Sequence, residues 1–155
     1  QRIGIAQRRL HMPRVLVVDE PTAGLDPRER IRFRNLLMEL SKERIVIFST
    51  HIIEDISSSC NKVAVLSRGS LRFLGTPAEL SERARGKVWQ FSVPPGRFSD
   101  IRGRYDIIHH MRRGEEIVVR TLHGSRPVEE AVEVKPTLED AYIWMQRGEN
   151  DHESS

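Results

Sequence analysis

The run Arg14-Val-Leu-Val-Val-Asp-Glu-Pro21, continuing into Thr22-Ala-Gly-Leu-Asp-Pro27, constrains the fold more than any other stretch of the chain. Four consecutive apolar residues, Val15 to Val18, predict a strand buried on both faces, as in a parallel sheet. Asp19 and Glu20 emerge at its carboxyl end. Pro21 stops the strand and Gly24 permits a sharp turn. Asp26 then caps a helix whose first turn suits Pro27, with Glu29 at capping-box spacing. Open α/β sheets place their ligand chemistry at this carboxyl edge. One carboxylate of such a pair can hold a metal ion, directly or through water, while its neighbour handles a proton.

An apolar run ending in acidic residues is also the pattern of a strand followed by a solvated turn. The contiguous proline, turn glycine and helix cap argue against that plainer reading. A second buried strand, Arg44-Ile-Val-Ile-Phe48, ends in Ser49-Thr50-His51. If the two strands are parallel neighbours, His51 shares an edge with Asp19 and Glu20.

With these motifs in order, residues 1–80 resemble the C-terminal half of an ABC-transporter ATP-binding subunit. Residues 15–20 match the Walker B strand, 23–26 the D-loop and 49–51 the switch-histidine segment. The opening residues 1–10 resemble the helix that follows the family's signature sequence. The resemblance implies that Asp19 binds Mg²⁺ on the nucleotide through water and that Glu20 polarises the water attacking the γ-phosphate of ATP. It gives His51 the γ-phosphate and the alignment of that water, and Asp26 a coupling role across a dimer interface. Positioning and electrostatic stabilisation dominate such phosphoryl transfer.

The chain departs from the family pattern in one respect. No G-x-x-x-x-G-K-[S/T] occurs in it, and neither the glutamine loop nor the signature is present. Without backbone amides and a lysine to neutralise the triphosphate, Asp19 and Glu20 would repel ATP. The first residue is Gln1 rather than Met, so the sequence reads as the C-terminal portion of a longer protein, missing about a hundred or more residues. A naturally truncated protein, or assembly with a separate N-terminal half carrying the phosphate loop, are the alternatives.

Composition fits a soluble, intracellular domain. No apolar run is long enough to span a membrane, and the single Cys60 suits a reducing cytosol. Arg28, Arg30, Arg32 and Arg34 on the helix from Pro27 read as a solvated face with Glu29 and Glu39. Phe33, Leu36, Leu37 and Leu40 form its apolar stripe. No basic block interleaved with aromatics points to nucleic acid.

Downstream, helices are expected at 2–11 and 52–58, and a hairpin of strands at 62–66 and 71–74 at the edge of the nucleotide-binding fold. A capping-box helix follows from Thr76 to about Arg85. Composition shifts at Arg85-Gly86-Lys87. Strands are expected at 88–93, 105–111 and 116–122, with Pro94-Pro95-Gly96 breaking the first. Thr137 caps a last helix over 138–146, with Asp140 at the capping-box position, and a polar, disordered tail follows. His109, His110 and His123 invite a metal reading, but adjacent strand residues face opposite ways. Trp89 and Trp144 read as packing residues.

The fold expected is α/β: a partial P-loop NTPase fold over residues 1–86, a small α+β extension over 87–146 and a tail over 147–155. The extension resembles that of some ABC exporters, including the Pro-Thr-Leu-Glu-Asp-Ala-Tyr ending at 136–142. The resemblance implies ATP and Mg²⁺ as cofactors and a location at the cytoplasmic face of the membrane as a peripheral subunit. Its partners would be a transmembrane permease and a second ATP-binding subunit, in an assembly that exports a substrate. Two other readings are a non-catalytic interaction or regulatory piece and an unrelated Mg²⁺-dependent phosphohydrolase. Asp26 and His51 argue against the last.

Overall fold

The computed structural model describes residues 13–151. The helix expected at 2–11 and the end of the tail, 152–155, lie outside the described residues. The chain divides into two compact units, Gln1–Asn61 and Lys62–Ser155.

In the first unit, β1 (Val15–Val18) pairs in parallel with β2 (Ile45–Phe48), in the register Val15↔Ile45 to Val18↔Phe48. Helix α1 (Pro27–Ser41) connects them and packs against β2. Its start is chemical: Asp26 accepts the Glu29 amide at 2.8 Å, and Pro27 occupies the first turn, where no amide is needed. Leu37 is buried, whereas Leu36 faces outward at 42% exposure, so the apolar stripe is narrower than the sequence suggests. Helix α2 (Ile53–Ser59) follows β2.

The two strands are not buried on both faces. Val15, Val17, Ile45 and Ile47 are exposed at 46, 68, 60 and 53%, while Leu16, Val18, Val46 and Phe48 are half-buried. Side chains alternate across a strand, and a two-stranded sheet has a helix to cover only one side. A composition suited to two-sided burial thus meets one-sided cover among the described residues.

The second unit begins with an antiparallel hairpin, β3 (Val63–Ser67) and β4 (Ser70–Gly75). Arg68 and Gly69 turn it with φ of +48° and +75°, the left-handed pair that matches strand twist. Among the described residues these strands pair only with each other. Thr76 caps α3 (Pro77–Glu82) in a reciprocal capping box with Glu79. The box closes over Gly75, where a Cβ would lie 2.7 Å from Glu79 Oε2.

A four-stranded antiparallel sheet follows in the order β6-β7-β5-β8: β5 (Val88–Val93), β6 (Ile107–Arg113), β7 (Glu116–Leu122) and β8 (Val132–Glu133). Phe91, Val93, Ile101, Val119 and Ala131 form its core, flanked by Trp89, Phe98 and Tyr105. Burying each large apolar side chain contributes roughly 2–3 kcal/mol. The two-residue β8 has no sequence signature.

Pro94-Pro95-Gly96 ends β5 as expected, but Pro95 also opens helix α4 (Pro95–Arg104), which the sequence reading lacks. Proline is favourable at a first helical position, and Phe98 and Ile101, three residues apart, then reach the sheet core. Helix α5 (Leu138–Asp151) packs against α3 and continues past the expected end at 146. Arg147 donates to the Leu122 carbonyl at 3.0 Å and meets Asp106 at 2.5 Å, tethering the added turn. Residues 147–151 are therefore helix rather than disordered tail.

Candidate active site

Parallel pairing brings the ends of β1 and β2 to one edge. The ladder continues one step beyond the strands, where the Ser49 amide donates to the Val18 carbonyl at 3.0 Å. This sets the Ser49 hydroxyl beside both carboxylate-bearing residues. It donates to Asp19 Oδ1 and accepts the Glu20 amide at 3.0 Å. The sequence reading gave Ser49 no role of its own. Its signal is its place one residue beyond a parallel strand.

Glu20 sits at φ +44°, a left-handed conformation that a residue with a Cβ rarely adopts. The turn behind it is closed by Ala23 donating to the Glu20 carbonyl and Leu25 to that of Thr22. Gly24 takes φ +72°, the conformation for which the sequence supplies a glycine. His51 leaves the neighbouring strand end and places Nδ1 2.8 Å from Glu20 Oε2. Oε2 has no aligned hydrogen-bond donor among the described residues, so the contact is electrostatic rather than a well-directed bond. His51 is 74% exposed and Glu20 36%, which screens the interaction. Asp19, Glu20 and His51 are thus gathered at one edge. Asp26 caps α1, its Oδ1 accepting from the Glu29 amide.

No protein-family model matches the chain. It is 37% identical over 93 residues to the uncharacterized ABC transporter ATP-binding protein YxlF of Bacillus subtilis, covering 60% of this chain and 32% of that protein. The phosphonates import ATP-binding protein PhnC of Wolinella succinogenes is 37% identical over 91 residues, 57% of this chain and 33% of that protein. ABC transporter A family member 11 of Dictyostelium discoideum is 30% identical over 111 residues, 72% of this chain and 13% of that protein. The chain carries part of an ABC-type ATP-binding domain. It spans about a third or less of the length of these relatives.

Seen as part of an ABC-type domain, the edge offers hard oxygen donors, the class that Mg²⁺ prefers. The exposed Asp19 carboxylate and the Glu20 Oε2 without an aligned donor fit such an ion. This sequence has no G-x-x-x-x-G-K-[S/T] run, the motif that cradles a triphosphate.

Three further residues of this ABC-type segment escaped the sequence reading. Thr22 and Asp55 are each 1% exposed and joined by a 2.5 Å hydrogen bond. Arg34, expected on a solvated face, instead lies 3.5 Å from Asp55 and donates to Ser58 Oγ. Glu39, its expected kind of partner, pairs with Lys42. Two histidines of the second unit make local contacts: the His110 ring lies 4.7 Å from that of Phe98, tilted by 41°, and His123 Nδ1 lies 2.7 Å from the Ser125 carbonyl oxygen. Trp89 donates to the His123 carbonyl at 3.1 Å. Cys60 caps α2, with burial raising its thiol pKa. No helix among the described residues is long and apolar enough to cross a membrane.

Proposed function

We propose that this chain supplies the hydrolytic edge of a transport ATPase, with Asp19 holding Mg²⁺ through water and Glu20 polarising the attacking water. His51 keeps that water and Glu20 aligned at the γ-phosphate, and Asp26 couples the site to a second ATP-binding subunit. The observation that carries this reading is the Glu20–His51 approach of 2.8 Å beside an Asp19 fixed by Ser49. Bound Mg²⁺ would offset charge on the phosphates, while the carboxylate and imidazole orient water.

The phosphate cradle comes from sequence outside this chain, and a transmembrane permease converts closure and reopening of the ATP-bound dimer into transport. The assembly works at the cytoplasmic face of the membrane. Residues 1–86 belong to the ATP-binding domain and 87–146 form an appended α+β extension. Export is the direction proposed, on the likeness of that extension and its ending at 136–142 to those of exporters.

The test is Glu20→Gln in the complete ATP-binding protein that carries this chain. Turnover should fall by roughly a hundredfold or more with MgATP binding retained. Wild-type turnover would remove Glu20 from the chemistry. His51→Ala should likewise slow hydrolysis, and an unchanged rate would dismiss its aligning role.

A further inference from the structure

The Glu20–His51 contact has no aligned hydrogen bond to hold its geometry. A buried pair joins the two segments that carry it. Thr22 follows Glu20 by two residues inside the same hydrogen-bonded turn. Asp55 follows His51 by four, on α2, whose entry is fixed by Asp55 donating to the Ile52 carbonyl and Ile52 to Thr50 Oγ1, both at 3.0 Å. Thr22 Oγ1 donates to Asp55 Oδ2 at 2.5 Å, linking the turn after Glu20 to the helix after His51. Arg34 of α1 balances the carboxylate from 3.5 Å and reaches the Ser58 hydroxyl at 3.0 Å and the Glu54 carbonyl at 3.4 Å. Three segments, each from a different part of the unit, therefore converge on one buried carboxylate.

We propose that Thr22, Asp55 and Arg34 are positioning residues that clamp the Glu20 turn to the His51 turn and so set the distance between the two side chains. The proposal rests on the catalytic reading of Glu20 and His51. A hydrogen bond in a dry, low-dielectric site is stiffer and stronger than an exposed ion contact. Displacing catalytic groups by about 1 Å can cost a hundredfold in rate. A clamp of this kind should act on turnover rather than on nucleotide affinity, because Thr22 and Asp55 are buried and bonded to each other.

The experiment uses the complete ATP-binding protein carrying this chain, with Thr22→Val, Thr22→Ser and Glu20→Gln compared for MgATP turnover and affinity. Thr22→Val keeps the volume and removes the hydroxyl. It should lower kcat about tenfold with KM within about twofold, and Thr22→Ser should restore most of the rate. Hydrogen exchange without nucleotide should quicken in Thr22→Val at residues 20–25 and 49–55 and stay unchanged elsewhere. Wild-type kcat in Thr22→Val, or a loss that Thr22→Ser leaves unrecovered with exchange raised throughout the domain, would overturn the clamp. Should Thr22→Val not fold, the partly exposed Arg34→Gln decides: a lowered kcat at unchanged KM supports the clamp and wild-type kcat dismisses it. An active Glu20→Gln sinks the catalytic reading and the clamp with it. An inactive Glu20→Gln beside a fully active Thr22→Val sinks the clamp alone.

Discussion

The Ser49 hydroxyl accepts the Glu20 amide at 3.0 Å while donating to the Asp19 carboxylate. One side chain just past the second strand thereby holds both acidic residues at the end of the first. Bonds to a charged acceptor are the stronger kind, about 1.5–3 kcal/mol. Ser49→Ala should accordingly lower ATP turnover in the complete protein about tenfold, a loss of roughly 1.4 kcal/mol. Steady-state kinetics at saturating MgATP would read it. An unchanged kcat would show that strand pairing alone places Asp19 and Glu20.

The chain of residues 1–155 taken alone should show no Mg²⁺-dependent release of phosphate from ATP. Its carboxylate edge would face the triphosphate without the amide and lysine donors that neutralise it. A phosphate-release assay on the purified chain checks this, and turnover above background would contradict it.

Asp140, in the second unit, offers a stability prediction. Arg120 grips it through Nη2 at 2.6 Å and Nε at 3.2 Å, and Asp140 also accepts the Thr137 amide at 2.7 Å. Burial pushes its pKa up, yet the hydrogen bonds from Arg120 and Thr137 outweigh this and leave the carboxyl below its usual range. Replacing it by Asn leaves Arg120 half-paired and should cost about 3 kcal/mol at neutral pH. A native pKa below the unfolded value means this stability is present above the unfolded value. It is lost as pH falls through the lowered one. The wild-type advantage in urea unfolding should therefore shrink below about pH 4. A constant difference down to pH 2 would refute the linkage.

Two glycines should respond to alanine with opposite signs. Gly24 sits at φ +72° with open space where a Cβ would go, so Gly24→Ala pays only backbone strain, about 1 kcal/mol. Gly103 lies within α4, also with open space but without a left-handed φ. Gly103→Ala should stabilise by roughly 0.5–1 kcal/mol through helix propensity. Paired denaturation curves test both, and a stabilising Gly24→Ala would contradict the turn geometry.

The contrast between these sites shows what sequence reading can reach. The Asp26, Thr76 and Thr137 caps join residues three apart, so their spacing is their geometry. The hairpin turn at Arg68-Gly69 is equally local. Helix α4 was missed because Pro95, read only as a strand breaker, can equally begin a helix. The choice depends on whether Phe98 and Ile101 find a core to enter.

For the site, the sequence by itself determined the strand that ends in Asp19 and Glu20, the glycine turn behind them and the capped helix beyond. Covalent spacing and backbone preference suffice for those. Only tertiary structure decided that β1 and β2 lie side by side, which carries His51 to Glu20 across 31 residues of chain. It also decided that Ser49 bridges the two acids and that Thr22, Asp55 and Arg34 meet in the interior. Hydroxyls, carboxylates and guanidinium groups are found on most protein surfaces. Packing the strands and helices removes water from a few of them, and those few then have only each other as partners.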